Sequence, residues 1–159
     1  SDKFVTYIPE KLSRRWCDNN DIMIGRYGPP IFQILRGKEG SYNVALIKAE
    51  PLNGNLNKRY LYHFLCRNDL FQLIDSYSQR TSGQTGIDMD VLKDFSFPLP
   101  PIDEQIQIAE RLDHFDRLIE LKVSKFEQLK STKKALLHDL LTGKVRVNIE
   151  STNMEVAVG

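Results

Sequence analysis

Large apolar residues in the last third of the chain recur with a seven-residue period. Leu112, Phe115, Ile119, Phe126, Leu129, Leu136 and Leu140 fall on the first and fourth positions of consecutive heptads; Lys122 and Lys133 interrupt them, and Val123 and Leu137 widen the stripe. The pattern predicts one helix from Ile102 to Leu141, roughly 60 Å long at about 1.5 Å rise per residue. Each large side chain buried is worth about 1.5–3 kcal/mol, so a seam left in water would forfeit on the order of ten kcal/mol. The stripe therefore predicts a partner helix. Packing on the chain's own globular part is the alternative, and the seven-residue spacing argues against it. Thr142-Gly143-Lys144 is the expected stop, with Gly143 free to take a left-handed C-cap conformation.

The helix start is equally marked. Phe97-Pro98-Leu99-Pro100-Pro101 cannot lie inside a helix or a central strand, and Asp103 and Glu104 follow as first-turn carboxylates favoured by unpaired amides and the helix dipole. Upstream, Asp21 to Tyr27 and Tyr42 to Lys48 read as strands, with Ile31 to Leu35 a third between turns. Asn57 to Tyr77 carries Leu61, Phe64, Leu65, Leu70, Phe71 and Ile74 at helical spacings, with Asn57 as cap and a break at Asn68-Asp69. Arg80 to Gly86 reads as a polar, glycine-spaced loop, and Ile87 to Phe97 as short helical and strand-like pieces. The expected fold class is α+β: a small mixed domain over residues 1–100, a long helical segment over 101–144, and a tail over 145–159 in which Val145 to Ile149 could form a short strand.

Composition narrows the class. The 159 residues are 41% hydrophobic and 27% charged with a net charge of +1, enough for one core plus an extension. No apolar run approaches the length of a membrane span and Ser1 to Glu10 lacks the order of a secretory leader, so the expected location is the cytoplasm, without membrane association. Cys17 and Cys66 lack metal-site spacing and are read as reduced structural thiols. Residues 1–80 hold twelve Lys and Arg against eight Asp and Glu, an excess that permits nucleic-acid binding without demanding it.

Enzyme motifs are not found. Gly28-Pro29-Pro30-Ile31 is superficially like an amino-methyltransferase motif, but Gly28 replaces the Asn or Asp that would bond a target amine and Ile31 replaces the stacking aromatic. Gly37-Lys38 lacks the earlier glycine of a phosphate loop, and no dinucleotide fingerprint exists. His63, His114 and His138 lie far apart and read as surface or packing residues, while Asp88 and Asp90 suit turn formation or weak cation binding. No catalytic residue, metal site or cofactor is assigned.

Several segments together are similar to a known family. Asp21-Ile22-Met23-Ile24-Gly25-Arg26-Tyr27-Gly28, an Asn43-bearing strand, Arg59-Tyr60-Leu61-Tyr62-His63-Phe64-Leu65, Ser82-Gly83-Gln84-Thr85-Gly86-Ile87, Phe97 to Pro101 with Glu104-Gln105, and Leu136-Leu137-His138-Asp139-Leu140-Leu141-Thr142-Gly143-Lys144 occur in the order seen in the DNA specificity subunit of type I restriction-modification systems. The chain resembles that family from about residue 20 to residue 147. The resemblance implies a target-recognition domain followed by a helical spacer that pairs as an antiparallel coiled coil. It also implies double-stranded DNA as ligand, with a methyltransferase (modification) subunit and, through the complex, a restriction subunit as partners. Family members usually carry two recognition domains and two spacers; one of each here implies a half-subunit, a truncated product or a fragment, and a stretch before Asp21 shorter than the usual start of the domain. A half-subunit would pair through the seam, as a homodimer or with another specificity chain, over a split palindromic target. A 60 Å rod matches about 17 base pairs at 3.4 Å each.

On that reading Arg26, Tyr27, Arg36, Lys38, Arg80, Ser82 and Gln84 are the candidate DNA-facing residues. They are polar or aromatic residues in loop contexts, of types that bond base edges or phosphates. Each has an ordinary alternative: Tyr27 in the core, Arg36 and Lys38 on a solvated turn, Ser82 to Gly86 as domain closure. The helix-pairing residues are Leu112, Phe115, Ile119, Phe126, Leu129, Leu136 and Leu140. A second reading of the chain is a coiled-coil assembly adaptor that does not itself read DNA.

Overall fold

A computed structural model describes residues 11, 13–51, 54–81 and 84–147, and the chain divides into two compact units, Ser1–Asp113 and His114–Gly159. The first unit opens with six strands, β1 (Trp16–Cys17), β2 (Ile22–Gly25), β3 (Tyr27–Gly28), β4 (Ile34–Leu35), β5 (Gly40–Ser41) and β6 (Leu46–Ala49). Helices α1 (Lys58–Leu65) and α2 (Asn68–Ser76), strands β7 (Gln79–Thr81) and β8 (Gln84–Gly86), and helix α3 (Met89–Asp94) follow. Helix α4 (Ile102–Leu141) begins in the first unit and continues through the second. The α+β class is as expected.

Strand β2 is the centre of an antiparallel sheet ordered β4-β2-β6, with Ile24 opposite both Ile34 and Ile47. All four of its residues are buried, which explains its unbroken apolar run. Ile22 and Ile24 join Ile31, Phe32, Phe64, Leu65, Leu70, Ile74 and Ile87 in one core, so α1 and α2 cover this sheet. Two small sheets were not anticipated: β1 pairs with β5, and β3-β8-β7 forms a third sheet from strands of two or three residues each. Arg80 to Gly86, expected as a loop, is thus mostly a hairpin; Ser82 lies outside the described residues.

Helix boundaries follow the chemistry of the chain. The Asn57 side chain accepts from the amides of Arg59 and Tyr60 and caps α1 as expected, while Asp88, expected in turn formation or weak cation binding, caps α3 by accepting from Asp90 and Val91. The break between α1 and α2 falls at Cys66 and Arg67, just ahead of the expected Asn68-Asp69. At Gly28 a Cβ would lie 2.2 Å from the Pro30 carbonyl carbon, so only glycine fits the turn into Pro29-Pro30.

The proline-rich divider docks on α1. The Phe97 ring meets the edge of Phe64 at 4.4 Å between centroids and that of Tyr60 at 5.8 Å, and the Tyr60 hydroxyl donates to the Pro98 carbonyl at 3.1 Å. Gln105 then locks the start of α4. It is fully buried; its Oε1 accepts from the Asn57 amide at 2.8 Å, and its Nε2 donates to the carbonyls of Asn55 at 2.9 Å and Pro100 at 2.8 Å. Gln105→Leu keeps the bulk but strands these backbone groups. Thermal or urea melts should show a loss of about 1–3 kcal/mol, the cost of leaving buried polar groups unsatisfied; an unchanged midpoint would show that the lock does not matter.

In the second unit α4 carries its apolar stripe on the surface: Phe126 is 62% exposed and Leu129 is 60% exposed. The helix ends as expected, with Gly143 at φ +70° and the Thr142, Gly143 and Val145 amides returning to the carbonyls of His138, Leu140 and Asp139. Val145 to Val147 form no strand, and Asn148 and Ile149 lie outside the described residues. Among the described residues no helix is long and apolar enough to cross a membrane.

Candidate nucleic-acid interface

The β3-β8-β7 sheet joins two candidate segments that lie far apart in sequence. Tyr27 pairs with Gly86 and Gly28 with Thr85, while across the hairpin Arg80 faces Thr85 and Thr81 faces Gln84. The Arg26-Tyr27 segment and the 79–86 hairpin therefore share one small sheet. For Arg80 and Gln84 these strand positions are what the structure establishes.

Arg26 is the bridge between this sheet and the central one. Its amide donates to the Ala45 carbonyl at 2.9 Å beside β6, and its carbonyl accepts from Ile87 at 3.0 Å just after β8. Its guanidinium carbon lies 5.3 Å from the Tyr27 ring centroid, a cation–π contact, and its buried Nε has no hydrogen-bond partner among the described residues. Tyr27 is 42% exposed, which removes the core alternative for it. A Cβ on Gly86 would sit 3.3 Å from the Tyr27 ring, so the glycine gives that ring its place over the strand. With Nε buried, only the terminal guanidinium nitrogens of such an arginine could bond a base edge or phosphate, and the exposed Tyr27 ring offers a stacking face.

Arg36 and Lys38 sit in other surroundings. Arg36 Nη1 contacts Asp113 Oδ1 at 3.0 Å and its guanidinium lies 4.0 Å over the Tyr62 ring, so it is tied into the fold rather than extended on a solvated turn. Lys38 is exposed, with its backbone carbonyl facing the buried Cys17 thiol. No disulfide joins Cys17 and Cys66; Cys17 is buried, as a structural thiol would be, whereas Cys66 is exposed.

Two carboxylates that sequence reasoning gave no role organise the surrounding charge. Asp113 Oδ2 accepts from Arg59 Nε at 2.6 Å, and its Oδ1 accepts from Arg36 and lies 2.9 Å from His63 Nε2. Burial pushes the Asp113 pKa up, but hydrogen bonds from Arg36, His63 and Arg59 together outweigh it and hold the group at about 2. Asp21 is 2% exposed and takes Lys48 Nζ at 2.8 Å, Lys58 Nζ at 2.9 Å and the Asp18 amide at 3.0 Å. The Lys48 bond is the strongest influence; with the other donors it overcomes burial and holds Asp21 well below the usual carboxylate range. Asp113 is 77, 54 and 50 positions from Arg36, Arg59 and His63, and no spacing rule links residues so distant.

Comparison with known proteins adds a family context. The model of the family described as "Type I restriction modification DNA specificity domain" matches residues 7–131. The chain is 31% identical over 145 residues to the type I restriction enzyme MjaVIII specificity subunit of Methanocaldococcus jannaschii, covering 89% of this chain and 32% of that protein. It is 48% identical over 56 residues to a putative type I restriction enzyme MjaX specificity subunit of the same organism, across 35% of this chain and 13% of that one. With the EcoBI specificity subunit of Escherichia coli identity is 28% over 144 residues, 87% of this chain and 29% of the relative. The chain thus spans a third or less of the length of these relatives.

Proposed function

Because the chain belongs to the type I restriction-modification DNA specificity family, we propose that its first unit reads duplex DNA and that α4 serves as a pairing spacer. In this reading residues 1–100 form the target-recognition domain, 101–144 the spacer and 145–159 a tail. The chain is non-catalytic; methylation and cleavage reside in modification and restriction subunits that it positions on a split target.

The observation that carries DNA reading is the joining of Arg26-Tyr27 and the 79–86 hairpin in one sheet. Arg26, its guanidinium beside the exposed Tyr27 ring, is the favoured base-reading side chain, and Tyr27, Arg80, Ser82 and Gln84 are the further DNA-facing candidates. Arg36, held by Asp113, contributes fixed charge, and Lys38 a phosphate contact.

Pairing is supported by the exposed heptad stripe and by the charge along α4. Its first half carries Asp103, Glu104, Glu110, Asp113, Asp116 and Glu120 against Arg111 and Arg117, whereas the second half carries Lys122, Lys125, Lys130, Lys133 and Lys134 against Glu127 and Asp139. Antiparallel alignment sets the acidic half of one helix on the basic half of the other; parallel alignment sets like on like. A second copy or another specificity chain would satisfy the same seam.

Selection from a pool of random duplexes by gel shift, with the methyltransferase subunit present, tests the function. Enrichment of one split motif is expected. In that assay Arg26→Ala should cost about 1–3 kcal/mol on the selected site and much less on others. Equal losses on every sequence would move Arg26 to phosphate binding, and no enrichment at all would favour the adaptor reading.

A further inference from the structure

Beside the Asp113 cluster lies a cavity of about 170 Å³, lined by Asn19, Asn20, Arg36, Lys58, Arg59 and Asp113 among others. It is small. Ligand pockets begin at roughly 300 Å³, whereas this space holds about five waters at roughly 30 Å³ each, enough for a phosphate group and its hydration. Its lining mixes three cationic side chains with two asparagine amides and a single carboxylate.

The internal ion pairs leave donors over. Arg59 spends Nε on Asp113 Oδ2, and its two Nη nitrogens make no hydrogen bond among the described residues. Lys58 gives Asp21 Oδ1 one bond at 2.9 Å, leaving two of its three ammonium protons for other acceptors. The two side chains are 45% and 40% exposed, so an entering anion reaches them without prior opening of the fold. Anchoring by Asp113 and Asp21 also restricts these long side chains, which lowers the entropy lost when they grip a ligand.

We propose that this cavity is a seat for one backbone phosphate of duplex DNA, held by Arg59, Lys58 and the Asn20 amide. The assignment rests on the DNA-reading function above and gives the first unit a sequence-independent register contact separate from Arg26. Donors tethered to carboxylates present charge at one fixed point, which suits positioning on phosphate rather than reading of varied base edges. Free inorganic phosphate offers the same chemistry, so the test must separate the two sources.

The full chain, alone and with the methyltransferase subunit, is titrated into duplexes of several sequences over a salt series, and separately with inorganic phosphate while backbone amides are followed by NMR. Arg59→Gln is expected to lower the slope of log affinity against log salt by about one, equally for all sequences. Asn20→Asp, which leaves both ion-pair clusters intact, should weaken all duplexes by a common factor, and Asn20→Lys should strengthen them. Thermal midpoints confirm that each variant is folded. A slope unchanged in Arg59→Gln, or an effect of Asn20→Asp matched by Ser96→Asp in the groove that Ser96 lines with Leu73, Tyr77 and Phe95, overturns the proposal. Failure of the wild type to bind any duplex sinks the DNA-reading function itself; phosphate-induced amide shifts at Asn20 and Arg59 surviving that failure would reassign the cavity to free phosphate.

Discussion

A chain carrying Phe126→Asp and Leu129→Asp together is expected to scatter light as a single copy at concentrations where the wild type is associated. Both side chains lie on the heptad stripe and are more than half exposed within one chain. Burial at a seam is worth about 1.5–3 kcal/mol for each, and two paired variant chains lose four such side chains, about 6–12 kcal/mol in all. That corresponds to roughly four to nine decades in the dissociation constant. Two carboxylates at the seam would add desolvation cost in the same direction. Ser131→Asn, away from the first and fourth heptad positions and without change of charge, is the control and should leave the association in place. Association of the double variant at wild-type concentrations would show that the stripe is not what joins the helices.

Asp21→Asn is expected to destabilise the first unit strongly. The amide keeps the shape of the side chain but leaves Lys48 and Lys58 gathered around a neutral, buried group beside Ile22. Removing one partner of a buried ion pair costs about 3–5 kcal/mol, which should lower the thermal midpoint by roughly 10–20 °C for a domain of this size. Acid gives an independent check. The folded carboxylates of Asp21 and Asp113 titrate below the ordinary 3.8, Asp113 at about 2. Their contribution is therefore fully present above about pH 4 and is lost as the pH falls toward 2 and below. Wild-type midpoints should fall across this window, and those of Asp21→Asn should fall less. Parallel pH profiles would show that Asp21 does not stabilise the fold through its charge.

What could be foreseen in the sequence was local. The Asn57 cap, the Gly143 stop, the proline divider and the heptads of α4 are each set by residues within a few positions of one another. The β3-β8-β7 sheet escaped because its strands are two or three residues long and their pairing joins Tyr27 to Gly86, so no alternation could build up; Arg80 to Gly86 reads as a loop when only its polarity is visible. The site was legible in its residue types more than in its arrangement. Arg26 and Tyr27 stand out as an arginine and an aromatic in a glycine-bounded segment, but their union with the hairpin is a tertiary event. Arg36 looks like a turn residue until Asp113 arrives from α4 to hold it. Asp21 shows no role in the sequence, since its two lysines come from β6 and α1.

The Gln105 lock consists of uncharged amide and carbonyl groups sealed from solvent, so added electrolyte has nothing there to screen. Raising ionic strength weakens the Asp113 ion pairs with Arg36 and Arg59 near the same end of α4, while the Gln105 bonds keep the start of the helix in place. Protein returned from high salt by dilution should therefore be native at once, with no refolding delay.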